Sequence, residues 1–181
     1  SSDDGKPFLL YVPLAAPHTP HMPLPEFIGT IGAGYYGDIN VQVDDTVGRI
    51  TAALEETGLA DNTIVVYTSD NASRWEPEDT EKWGHASNHY YRGQKGDIHE
   101  GGHRVPTIIS WPGHVEPGTA SGFTISLTDF YATFAAVARA ETGPNEGEDS
   151  ESFLPVLLGE SQEPRTAMIS QSSRSVYAVR Q

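Results

Sequence analysis

Two apolar, strand-like runs separated by one amphipathic helix constrain this chain more than any other feature. Phe8-Leu9-Leu10-Tyr11-Val12 is a continuous apolar run closed by Pro13. Such a run has the form of a strand buried on both faces. From about Asn40 to Thr57, the residues Val43, Val47, Ile50 and Leu54 recur at steps of four, three and four. That spacing makes one apolar helical stripe, and Gly58 is placed to stop it. Thr63-Ile64-Val65-Val66-Tyr67-Thr68 is a β-branched run fit for a second buried strand. Strand, helix, strand with short joints predicts a parallel α/β unit.

Downstream, Ser69 to Gly102 is polar, with Trp, Tyr, His and Gly scattered through it. A stretch of that length without periodicity is usually functional or disordered, and its aromatics favour function. Val105-Pro106-Thr107-Ile108-Ile109-Ser110-Trp111 predicts another strand, ended by Pro112-Gly113. A second helix is expected from about Leu127 to Ala138, with Asp129 in its first turn where a carboxylate suits the dipole. Glu141 to Ser152 reads as an exposed acidic loop. Short strands are expected near Ala167-Met168-Ile169 and Val176-Tyr177-Ala178-Val179. The fold class expected is α/β, a mostly parallel sheet flanked by helices.

Charge decides which partners to exclude. The formal net charge is -14, from 25 acidic and 11 basic residues. A surface of that sign repels nucleic acid and anionic membranes. It also repels an anionic substrate, so a sulfate or phosphate site here needs a metal or focused local cations. The chain holds no cysteine, which excludes disulfides and thiolate metal sites. No apolar run approaches the roughly 18 residues of a membrane span. Ser1-Ser2-Asp3-Asp4 is not a signal peptide, and the chain is expected to be cut at that end.

Three local groups carry chemistry. Thr68-Ser69-Asp70-Asn71 sits where a strand is predicted to end, the usual place for a ligand crevice in an open α/β sheet. Asp70 and Asn71 offer hard oxygen ligands for Ca²⁺ or Mg²⁺, although Asp-Asn also serves in simple turns. Pro17-His18-Thr19-Pro20-His21-Met22-Pro23 presents two imidazoles on a proline-restrained loop, and either suits acid–base work. Arg92-Gly93-Gln94-Lys95-Gly96 is followed by Glu100-Gly101-Gly102-His103-Arg104-Val105-Pro106. There Lys95 is a point charge for an anion, and glycines let the backbone approach a ligand. Oxygen ligands, a charge clamp and a proton source are what a metal site for a tetrahedral oxyanion requires. The three groups are expected on loops sharing one edge of the sheet.

In order, Pro-His-Thr-Pro, a helix with Tyr36-Gly37-Asp38 and Val47-Gly48, Thr-Ser-Asp-Asn, Arg-Gly-Gln-Lys and Glu-Gly-Gly-His-Arg-Val-Pro resemble a formylglycine-dependent arylsulfatase of the alkaline-phosphatase-like superfamily. The resemblance runs from about Pro7 to Arg180. It implies an incomplete sulfatase-like fold, with residues 1–140 as the carboxyl-side part of the catalytic α/β domain. Residues 141–181 would be a linker loop and the start of a smaller subdomain.

The resemblance also implies a calcium-dependent sulfuric ester hydrolase acting on sulfate monoesters. It assigns Asp70 and Asn71 to the metal, Lys95 to the sulfate, and His18 to the sulfate and leaving oxygen. His21 falls at a variable position of the family pattern. His85 and His103 are expected in structural or solvated roles. Ala72 stands where the family often has Gly. The family nucleophile matures from Cys or Ser within a Cys/Ser-x-Pro/Ala-x-Arg motif, and no such motif occurs in these 181 residues. The nucleophile is therefore expected upstream, and the chain alone is expected to be inactive. A small-molecule or glycan sulfate ester is the implied substrate. A periplasmic or secreted setting agrees with the family, while the residues themselves leave compartment and oligomeric state open. Two alternatives stand beside this reading: a phosphodiesterase or phosphonate hydrolase of the same superfamily, and a non-catalytic carbohydrate-binding or scaffold protein.

Overall fold

The computed structural model describes residues 5–181. The expectation for Ser1-Ser2-Asp3-Asp4 lies outside the described residues. The elements in chain order are α1 (Gly34–Glu56), β1 (Val65–Thr68), α2 (Pro77–Trp83), α3 (Glu100–His103), β2 (Thr107–Ser110), α4 (Asp129–Ala138), α5 (Leu154–Leu157), β3 (Met168–Gln171) and β4 (Tyr177–Arg180). Single 3₁₀ turns occupy Pro25–Phe27 and Ala60–Asn62. No described helix is long and apolar enough to cross a membrane.

Helix α1 starts six residues before the apolar stripe predicts, inside the Gly-rich stretch. Asp38 explains the early start. Its carboxylate is 2% exposed and accepts the N–H groups of Gly29 and Thr30 at 2.9 and 3.1 Å. This ties the incoming loop to the first turn. Gly37 is required there, because a Cβ would stand 2.9 Å from the Ile31 side chain and 2.8 Å from the Ala33 Cβ. The buried apolar residues Ile39 and Val43 follow on the inner face. A second packing centre lies under α4, where the Phe130 ring meets Phe134 at 5.5 Å and Phe153 at 5.3 Å.

The mostly parallel sheet is not what the described residues form. β1 pairs with β2 antiparallel, Val65 opposite Ser110 and Thr68 opposite Thr107. β3 pairs with β4 antiparallel, Met168 opposite Arg180. The parallel partner of β1 would be Phe8–Val12, joined to it through α1. That segment is extended without a hydrogen-bonded ladder, and Leu9 and Tyr11 are 81% and 82% exposed. A strand apolar on both faces needs neighbours to fill its ladder and cover its sides, and the described residues supply neither.

Two helices in the polar stretch escaped the reading of periodicity. α2 is only seven residues long, with Pro77 at its start and Gly84 in the left-handed conformation (φ 64°) after its end. α3 is a single turn.

Candidate active site

The antiparallel pairing sets the geometry of the site. A chain that leaves β1 at Thr68 and enters β2 at Thr107 begins and ends at one end of the sheet. Asp70 and Asn71 stand at the exit from β1. Lys95 lies in the same connection, which leaves β1 and enters β2.

Backbone hydrogen bonds hold these two pieces together. The Lys95 N–H donates to the Ser73 carbonyl at 3.0 Å, and the Ala72 N–H donates to the Gly102 carbonyl at 3.3 Å. The Trp75 N–H donates to the Gln94 side-chain oxygen at 2.9 Å. Asn88 closes the arrangement, donating to the carbonyls of Ser73 and Gly93 at 3.2 and 3.3 Å while its oxygen accepts the Ser73 hydroxyl at 2.8 Å. Ala72 is 7% exposed. The methyl group thus fills a closed space beneath the Asp-Asn turn.

Gly101 and Gly102 are small for a reason other than room for a ligand. A Cβ on Gly101 would overlap the Gly93 carbonyl, and one on Gly102 the Asp97 carbonyl. The loop bearing Lys95 lies directly on this glycine pair. Glu100, one residue before it, binds Arg104 at 3.2 Å and also pairs with Arg180. His103 Nε2 sits 4.0 Å from the Glu100 carboxylate.

The turn at Asp70 is set by the Ser69 hydroxyl, which donates to the Asn71 carbonyl at 3.0 Å. Asp70 is exposed and Asn71 half-buried. Among the described residues, the side chains of Asp70, Asn71 and Lys95 make no hydrogen bond or ion pair. Two adjacent hard oxygens without protein partners suit a divalent cation such as Ca²⁺, though they are a small part of the 6–8 ligands it takes. No group of three or more His, Asp or Glu among the described residues is arranged to hold a metal ion.

His18 lies on the proline loop between cis peptide bonds at Ala16–Pro17 and Thr19–Pro20. Its Nδ1 is 2.8 Å from the Thr19 carbonyl. A carbonyl only accepts, so Nδ1 carries the proton in this contact and Nε2 is the nitrogen left to work. A row of rings links this loop to the Asp-Asn segment. His21 meets Tyr36 at 5.2 Å, Tyr36 meets Trp75 at 4.8 Å, and Trp75 meets His85 at 5.6 Å. The Trp75 indole N–H also donates to the His85 carbonyl at 2.6 Å. Sequence reasoning missed Tyr36 and Trp75, which are half-buried and join the loops by ring packing. Nearby, the hydrogen bond from Arg74, with help from Gln94, holds the Glu76 carboxyl below its usual range.

The sulfatase family model matches residues 1–140. Among curated proteins, steryl-sulfatase of Mus musculus is 39% identical over 87% of this chain and 26% of its own length. N-acetylgalactosamine-6-O-sulfatase of Bacteroides thetaiotaomicron is 33% identical over 98% of this chain and 36% of its own. Arylsulfatase A of Bos taurus is 36% identical over 97% and 34%. Among solved structures, one from Bacteroides thetaiotaomicron, described in terms of glycosaminoglycan metabolism, superposes with a TM-score of 0.82 at 32% identity, covering 91% of this chain and 35% of the other. A sulfatase from Pseudoalteromonas superposes at 0.75 with 30% identity, covering 90% and 32%. The chain thus spans about a quarter to a third of the length of these relatives.

Proposed function

Because this chain belongs to the sulfatase family, we propose that the complete protein hydrolyses sulfate monoesters and that His18, Asp70, Asn71 and Lys95 form part of its site. The observation that carries this reading is the stitched pair of loops. The Lys95 N–H bonds to the Ser73 carbonyl, two residues past Asn71, which sets an ammonium loop beside a pair of metal-type oxygens.

Each residue then has a role its chemistry supports. The Lys95 ammonium binds sulfate oxygens as a compact charge. Asp70 and Asn71 would hold Ca²⁺, which when bound neutralises charge gathering on the sulfate. With its Nδ1–H given to the Thr19 carbonyl, His18 as the imidazolium would carry a second proton on Nε2 and would pass that one to the departing alcohol oxygen. The formylglycine nucleophile of the family belongs to sequence outside these 181 residues. We place residues 1–140 in the catalytic α/β domain and assign 141–181 to a linker and the start of a smaller subdomain. In the complete protein Phe8–Val12 becomes an interior parallel strand beside β1. The Bacteroides relative's name makes a sulfated amino sugar the first substrate to try.

The test is steady-state hydrolysis of an aryl sulfate and of N-acetylgalactosamine 6-sulfate by the complete protein. Lys95→Ala and Asp70→Ala are each expected to lower kcat/KM by roughly 10²–10³, the scale for removing one charge-stabilising group. Calcium should raise the melting temperature of the parent and not of Asp70→Ala. Unchanged turnover in both variants would sink the assignment.

A further inference from the structure

One residue connects the loops that carry His18, the Asp70-Asn71 pair and Lys95. Trp75 follows the Asp-Asn turn in the chain and is half-buried. Its backbone N–H donates to the side-chain oxygen of Gln94, the neighbour of Lys95, at 2.9 Å. Its ring meets Tyr36 at 4.8 Å, and Tyr36 meets His21 on the proline loop at 5.2 Å. Tyr36 is a fixed point in this row. It stands in the first turn of α1, next to Gly37, which is packed on Ile31, and near Asp38, which binds the N–H groups of Gly29 and Thr30.

The joints on either side of Trp75 are built differently. The Asp-Asn and Lys95 loops are held together by backbone and Asn88 hydrogen bonds in which the indole takes no part. The proline loop is tied instead to α1, where the Leu24 N–H donates to the Gln42 side-chain oxygen at 2.9 Å. Among the described residues, no hydrogen bond or ion pair joins residues 15–23 to residues 69–102. The row His21–Tyr36–Trp75 spans that gap by ring contact, the tilted geometry that aromatic pairs favour. Trp83 also lies against Gly34, where a Cβ would stand 2.7 Å from its ring. The start of α1 thus keeps a contact with the polar stretch when the Trp75 ring is removed.

We propose that Trp75 is a positioning residue for proton transfer from His18, acting through Tyr36 and His21 to set where that imidazole stands relative to the sulfate held at Lys95. This rests on the sulfate-ester reading and on His18 as the acid. In that reaction the S–O bond to the alcohol breaks, its electron pair stays on the departing oxygen, and the sulfuryl group passes to the nucleophile. A basic leaving oxygen, such as that of a sugar alcohol, takes the His18 Nε2 proton as it departs. A nitrophenolate is stable enough to leave without one. A displaced His18 therefore slows the first kind of ester and spares the second, while Lys95, Asp70 and Asn71 keep their places.

The experiment measures kcat/KM of the complete protein for esters of rising leaving-oxygen basicity: 4-nitrophenyl sulfate, phenyl sulfate and N-acetylgalactosamine 6-sulfate. Trp75→Ala should lower the value for the sugar ester about 10²-fold, the scale of a misplaced catalytic group, and for the nitrophenyl ester less than about threefold. Trp75→Phe keeps a ring and should restore most of the loss. Tyr36→Leu breaks the same row at its middle and should reproduce the Trp75→Ala pattern, which keeps the test open if Trp75→Ala folds poorly. Because Trp75 acts through His18, adding Trp75→Ala to His18→Gln should cost little more than His18→Gln alone. Equal losses on all esters, or losses that multiply in the double variant, overturn the positioning role. If His18→Gln itself does not distinguish the esters, His18 is not the acid and the role of Trp75 falls with it. Absence of turnover of every ester by the parent overturns the sulfate-ester reading.

Discussion

Asp129 anchors more of the structure than a first-turn acid on a helix normally does. It is 2% exposed and meets the Arg165 Nη1 with both oxygens, at 2.9 and 3.1 Å. It also accepts the N–H groups of Ser126 and Glu151, at 2.6 and 3.0 Å. The helix-dipole argument places an acid at Asp129 and is silent about Arg165, 36 residues later, because nothing local connects them. Replacing Asp129 by Ala leaves a guanidinium that is 11% exposed without its main partner. Breaking a buried pair from one side costs about 3–5 kcal/mol, so Asp129→Ala should lose that much stability in chemical denaturation, and a loss under 1 kcal/mol would show that the pair matters little. The residues proposed for the site stood out in the sequence for the opposite reason. His18, Asp70, Asn71 and Lys95 stand in short runs whose glycines and prolines mark them locally. The roles of Tyr36, Trp75 and Asp38 were not legible, since they exist only through ring packing and hydrogen bonds to other segments.

At the scale of elements, legibility followed periodicity. α1, α4, β1, β2 and the separate strands β3 and β4 were all expected, with ends displaced by up to six residues, because stripes and β-branched runs report burial directly. α2 and α3 have no apolar stripe to report. The Pro77 start and Gly84 stop were the available signals for α2. The pairing direction was missed because periodicity says how a strand is buried and not which way its neighbour runs. α3 also yields a prediction. Its Gly102 lies against the Asp97 carbonyl with no room for a methyl group. Gly102→Ala should therefore displace the 93–97 loop, costing roughly 1–3 kcal/mol as overpacking does and lowering sulfate-ester kcat/KM in the complete protein. A Gly102→Ala crystal structure with that loop unmoved would contradict this.

The whole molecule shows open surfaces where a core would be expected. Phe8, Leu9, Leu10 and Tyr11 are 53–82% exposed. The chain spans 26% of the mouse relative and 36% of the Bacteroides one. His18, Asp70 and Lys95 are exposed as well, so the site as described has one wall. Since the family's nucleophile motif does not occur here, the isolated 181-residue chain should show no turnover of an aryl sulfate above the rate without protein. Turnover comparable to that of the complete protein would require a different nucleophile among these residues.

The antiparallel joining of β1 to β2 has one last consequence. Thr68 and Thr107 are opposite each other, so the 38 residues between them form a cassette with both ends clamped at a single doorway. Lengthening, shortening or exchanging that insert changes what is displayed above the sheet while the hinge posts stay where they are. Chemistry and framework can thus vary independently at this point in the chain.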